Sequence, residues 1–243
     1  MKLLQLFIQI IIVMHFACGT NYFAKKSEQK ASAQDKAQSL MNKGEYLKAI
    51  EILEEAIENE PNNYNLYLLC AASYASLSGL DIVKISSQLQ NNNSNDNSSN
   101  NVFQLFANFL PKDYDETNIN YMKTAINLIE QIPEALRKLD SDTSSSASAA
   151  YQYSIYNIYY SVMILYLFID FTPDGKIDIN KLLSISIGDA VNILTSLNKA
   201  TILNDETNPV STAITTTINS INNEEGLNSK EKLTSYIYKK YNT

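Results

Sequence analysis

The chain of 243 residues has no tryptophan, one histidine (His15), one arginine (Arg137), two cysteines, six glycines and five prolines. Each scarcity removes a class of chemistry. Six glycines and one arginine leave neither a glycine-rich phosphate cradle nor a set of bidentate guanidinium forks. The 26 acidic residues outnumber the 19 basic ones, for a formal charge of −7, which excludes a basic surface that would hold nucleic acid. Cysteine and histidine are too few for a zinc site of the Cys/His kind once His15 is set aside with the leader described below. What remains is 45% hydrophobic and 19% charged, a composition that excludes full disorder and suffices for a sizeable core.

The N-terminus carries an address. Lys2 gives a positive start, and residues 3–17 contain no charge. Such a stretch suits the core of a secretory signal and is short for a membrane span. It ends at His15-Phe16-Ala17-Cys18-Gly19. A small residue directly before a cysteine at this distance resembles the lipobox of bacterial lipoproteins, although His15 stands where that family usually has Leu. The resemblance implies a signal peptide over residues 1–17, lipidation of Cys18, and a tether over 18–32. Gly19 in the second mature position implies the outer membrane, facing the periplasm. The alternative is an ordinary signal peptide cut nearby. With Cys18 acylated, Cys70 stands alone and no intrachain disulfide can form.

The clearest internal pattern is Gly44-x-Tyr46-x-x-Ala49-Ile50-x-x-Leu53-x-x-Ala56-Ile57, closed by Pro61-Asn62. Ala49 and Ala56 share one helical face and allow a neighbouring helix close approach, Gly44 permits a tight turn, and Pro61 stops the helix. With Ala37 and Leu40 placed where a first helix makes its contacts, the pattern resembles a tetratricopeptide repeat. Residues 67–89 continue it in weaker form through Tyr67, Ala71 and Tyr74, then Ile82, Ile85 and Leu89. The resemblance covers residues 33–90. It implies paired helices whose concave side, near Tyr67, Ala71 and Tyr74, binds a protein or peptide partner.

Residues 91–101 are an Asn/Ser-rich break that cannot bury apolar area. Beyond it, residues 102–243 read as a C-terminal helical bundle. Val102, Phe106 and Phe109 mark a short helix before Pro111. Residues 118–139 form an amphipathic helix that Pro133 kinks or splits. Residues 143–169 carry no charge at all. A membrane span is one reading of that run. Six tyrosines and the polar Gln152, Ser154, Asn157 and Ser161 favour a buried central helix, because hydroxyls find partners in a protein interior and not in a bilayer centre. Helices near 179–203, 209–222 and 229–241 follow. No stretch alternates as a strand, so the expected fold is all-α, with short tetratricopeptide-like hairpins packed on a bundle around a Tyr-rich buried helix.

Asp170-Phe-Thr-Pro-Asp-Gly-Lys-Ile-Asp178 resembles the first nine positions of an EF-hand loop, which implies Asp170, Thr172, Asp174 and Asp178 as ligands of a weakly held Ca²⁺. The twelfth position is Lys181, where that loop needs a bidentate Glu, and the other reading is an Asp/Gly/Pro turn between helices. Cys70 on an apolar face reads as a small buried hydrophobe without a base to activate it. The residues therefore predict no catalytic group, no resident cofactor and no enzyme. They predict a lipid-anchored envelope protein acting as an interaction adaptor or scaffold. The rival reading is a solute-binding helical lipoprotein with a Tyr-lined cavity.

Overall fold

The computed structural model describes residues 31–81, 85, 102–138, 144–169, 177–201 and 209–242. Residues 1–30, where the signal peptide and tether are expected, residues 91–101 and the stretch 170–176 lie outside the described residues. The chain divides at Ser32/Ala33, and everything from Ala33 to Thr243 belongs to one compact unit.

That unit is all-α. It runs α1 (Ala33–Met41), α2 (Tyr46–Asn59), α3 (Tyr64–Leu77), α4 (Val102–Ala107), α5 (Glu116–Glu130), a 3₁₀ turn (Glu134–Arg137), α6 (Ser144–Tyr166), α7 (Ile179–Leu183), α8 (Ile187–Ala200), α9 (Pro209–Asn222) and α10 (Ser229–Asn242). Local chemistry sets most boundaries. Gly44 adopts φ +76°, and the Glu45 N–H returns to the Leu40 carbonyl at 2.9 Å, closing α1 with a left-handed residue that few other side chains tolerate. At the start of α5, Asp115 Oδ1 accepts from the Thr117 and Asn118 N–H groups while Asn118 Oδ1 accepts from the Asp115 N–H. This is a reciprocal capping box. Asn118 Nδ2 also donates to the Leu77 carbonyl at 3.3 Å, so one side chain starts α5 and fastens it to the end of α3.

Two apolar clusters meet at α3. The smaller joins α1, α2 and α3 through Ala37, Ala49, Ile50, Leu53, Ala56, Leu66 and Cys70. The larger runs from Tyr67 and Ala71 through α4, α5, α6, α8, α9 and α10. Its centre is α6, which packs most extensively against α8. Tyr156, Tyr159, Ile158 and Met163 are fully enclosed there, and no helix among the described residues is long and apolar enough to cross a membrane. The tyrosine hydroxyls find protein partners, as an interior position demands. Tyr153 donates to Glu130 Oε1 at 2.8 Å, Tyr156 to Gln152 Oε1 at 3.2 Å and Tyr159 to the Phe109 carbonyl at 3.2 Å. Tyr166 and Tyr241 share a hydroxyl pair at 3.3 Å.

One expected helix is split where the sequence predicts and another is broken where it does not. The helix expected over 118–139 is divided at Pro133: α5 stops at Glu130, and residues 134–137 form a separate 3₁₀ turn. Proline lacks the N–H that continuation requires. The expected helix 179–203 is broken at residues 184–186. Ser184 Oγ donates to the Lys181 carbonyl at 2.6 Å and terminates α7. Ser186 Oγ then accepts from the Asp189 N–H at 3.0 Å and starts α8. Serine offers the backbone such local alternatives to helix continuation.

Candidate functional site

The residues placed on a concave partner face do not form one. Tyr67 and Ala71 are buried in the larger cluster, where α5 packs across α3. The Tyr67 hydroxyl donates to the Pro61 carbonyl at 3.1 Å. Tyr74 is half-buried between the two clusters; its hydroxyl donates to Glu54 Oε1 at 2.8 Å and its ring lies 6.0 Å from that of Tyr121 on α5. Burial, then the Glu54 carboxylate, raises the Tyr74 phenol well above its ordinary value. The apolar side of α3 is covered by the chain's own later helix, α5. Cys70 is fully buried, and burial, with a smaller push from Glu54, drives its thiol up to about 12. It is therefore protonated and inert near neutral pH.

Of the EF-hand-like residues, Asp170, Thr172 and Asp174 lie outside the described residues. Asp178 is described and caps α7, with Oδ1 accepting from the Asn180 N–H at 2.9 Å and the Lys181 N–H at 3.4 Å. Among the described residues no three His, Cys, Asp or Glu side chains converge as metal ligands would. Cys18 also lies outside them.

The structure shows instead a groove that the sequence pattern did not single out. It lies between α1 and α2, measures about 290 Å³, and is lined by Ala33, Lys36, Ile52, Glu55, Ala56, Asn59 and Glu60. Small residues make the space: Ala33 on α1 and Ala56 on α2 line it with no more than a methyl group each. Ile52 supplies an apolar wall. The polar rim combines the Glu55 and Glu60 carboxylates with the Lys36 ammonium and the Asn59 amide; Asn63 Nδ2 donates to Glu60 Oε2 at 2.9 Å, and Asn59 Nδ2 donates to the Glu55 carbonyl at 2.8 Å. The neighbouring Glu51, Glu54 and Glu58 of α2 are exposed. The signal was present in the sequence, as alanine where two helices meet beside an acidic face. Spacing alone does not say whether a third helix fills such a place.

A second polar junction is structural in character. Glu130 Oε1 accepts from both Lys199 Nζ at 2.7 Å and the Tyr153 hydroxyl at 2.8 Å, and the Arg137 guanidinium stands 5.1 Å from the centre of the Tyr153 ring. Burial alone would raise the Glu130 carboxyl, but the hydrogen bonds and positive charge of Lys199, the Tyr153 hydroxyl and Arg137 together hold it below its ordinary value. Arg137 is also fixed by donating Nε to the Ile132 carbonyl at 2.8 Å. The junction pins α5, the 3₁₀ turn, α6 and α8 together.

No family model, no curated protein and no solved structure matches the chain.

Proposed function

We propose that the chain is an exported lipoprotein, anchored through Cys18 in the outer membrane and facing the periplasm, that acts without catalysis as an interaction adaptor. The α1–α2 groove would be the partner site in place of the α3 face first expected. One observation carries the adaptor part of the reading: an open, alanine-floored groove with Lys36, Glu55 and Glu60 on its rim lies between two helices that also pack into the core. Its chemistry suits a peptide segment with an apolar residue against Ile52, a basic side chain against Glu55 and Glu60, and an acidic or carbonyl group toward Lys36. A binding groove of this kind uses pre-formed shape and a few placed charges.

The test has two arms. Metabolic labelling with an acyl probe should mark the wild-type chain and leave Cys18→Ser unmarked; equal labelling of both removes the anchor. A photo-crosslinking residue at Ile52 should yield a discrete envelope adduct that Ala33→Trp abolishes by filling the groove. An adduct that survives Ala33→Trp, or none above that of an exposed position such as Asn120, removes the groove.

A further inference from the structure

Helices α7 and α8 carry large aliphatic side chains that the fold leaves uncovered. Ile179 is 36% exposed, Leu183 50%, Ile187 57% and Val191 43%. They recur every four residues, so each helix presents its pair on one face. The surface around them carries little charge. Every exposed position between 179 and 195 is uncharged, and the two charged residues there, Lys181 and Asp189, are half-buried. Asp189 Oδ2 accepts from Ser186 Oγ at 2.6 Å, which keeps that carboxylate engaged at the helix start.

We infer that this stripe rests on the surface of a lipid bilayer, with the four aliphatic side chains among the headgroups and upper acyl carbons. A second protein is the poorer occupant, because a stable interface uses about 20–30 residues a side and the stripe offers four anchors. A bilayer needs no such extent. Apolar helix faces settle about 5–10 Å into the headgroup boundary, and weak adsorption adds to an existing anchor. The lack of exposed charge, in a chain of net charge −7, favours a zwitterionic surface over an anionic one. The inference rests on the reading of Cys18 as a lipid anchor. The 14 residues from Gly19 to Ser32 reach about 46–50 Å when extended. The radius of gyration expected for a unit of this size is about 17 Å, so a leash of this length does not tie the unit to a single orientation.

The experiment uses the full chain in phosphatidylcholine vesicles with brominated acyl chains. An environment-sensitive fluorophore is placed at Val191→Cys or, as control, at Glu58→Cys; Cys70 is buried and does not label, and a chain with neither added cysteine reports any label taken by an unmodified Cys18. The expected result is a blue-shifted emission quenched by the bromines at 191 and neither effect at 58, unchanged from low to high salt and lost in Leu183→Glu/Ile187→Glu. Mass analysis of the mature N-terminus reports acylation separately. An acylated, vesicle-bound chain whose 191 label stays unquenched overturns the inference and leaves the anchor intact. An unmodified Cys18 with quenching at 191 supports the stripe and removes the anchor. A 191 label that is shielded only when another protein is bound also overturns it.

Discussion

Replacing Glu130 by Gln tests whether the junction of α5, α6 and α8 stabilises the fold as its geometry implies. Glu130 accepts two hydrogen bonds on one oxygen, from Lys199 Nζ at 2.7 Å and the Tyr153 hydroxyl at 2.8 Å. The two contacts differ in worth. The Glu130 and Lys199 side chains are 32% and 41% exposed, so solvent screening reduces that ion pair to about 0.5 kcal/mol. The Tyr153 ring is buried, and a hydrogen bond from its hydroxyl to a charged acceptor is worth about 1.5 kcal/mol. Glutamine keeps a weaker acceptor for the tyrosine and recovers part of the cost of burying a charge, which brings the expected loss to about 1–1.5 kcal/mol. For a unit of this size that is a Tm lower by roughly 2–6 °C. The sign of the pH dependence follows from the lowered Glu130 carboxyl. Its contribution is complete above the ordinary glutamate value of 4.5 and is lost as pH falls through the lower folded value. Urea unfolding of wild type and Glu130→Gln, from neutral pH down through 4.5, should therefore give two stabilities that differ at neutrality and converge in acid. A difference that is absent at neutral pH, or that persists unchanged in acid, refutes the reasoning.

Gly44 and Gly79 both have positive φ, but an added Cβ meets nothing within 4 Å at Gly44 and collides with the Pro111 ring at Gly79. Gly44→Ala should cost about 1–2 kcal/mol and Gly79→Ala about 1–3 kcal/mol beyond that; equal unfolding midpoints contradict the packing of the α3 end on Pro111. Ser154 Oγ is buried with no hydrogen-bond partner among the described residues, so Ser154→Ala should raise stability by about 1 kcal/mol, and a lower urea midpoint sinks that expectation. In a Cys18→Ser background only Cys70 can react with a thiol reagent, and its burial with the thiol pushed up to about 12 means reaction at mildly alkaline pH only after denaturant is added; prompt labelling of the native chain would show that α3 opens readily.

How much was legible beforehand depended on how local the cause was. The turn at Gly44, the stops at Pro61 and Pro133, and the apolar stripes of α2 and α9 follow from backbone conformation and helical spacing within a few residues. The buried state of α6 was legible from the many tyrosine hydroxyls, which need acceptors. The break at residues 184–186 was missed because the apolar spacing of α7 and α8 continues across it; only Ser184 and Ser186 marked the interruption. Tyr67 and Ala71 were placed on an apolar face correctly and on an open face wrongly. Periodicity says which side of a helix avoids water and not which element covers it.

The sequence by itself determined that this chain is helical, where its first hairpin turns and which of its helices is central, because propensity, capping and apolar spacing act over one or two turns. Tertiary structure alone decided that α5 closes over α3, that the space between α1 and α2 stays open, and that Glu130 meets partners 23 and 69 residues away. Those outcomes depend on how helices cross and on which side chains then fall within a few ångströms, and no spacing along the chain encodes that.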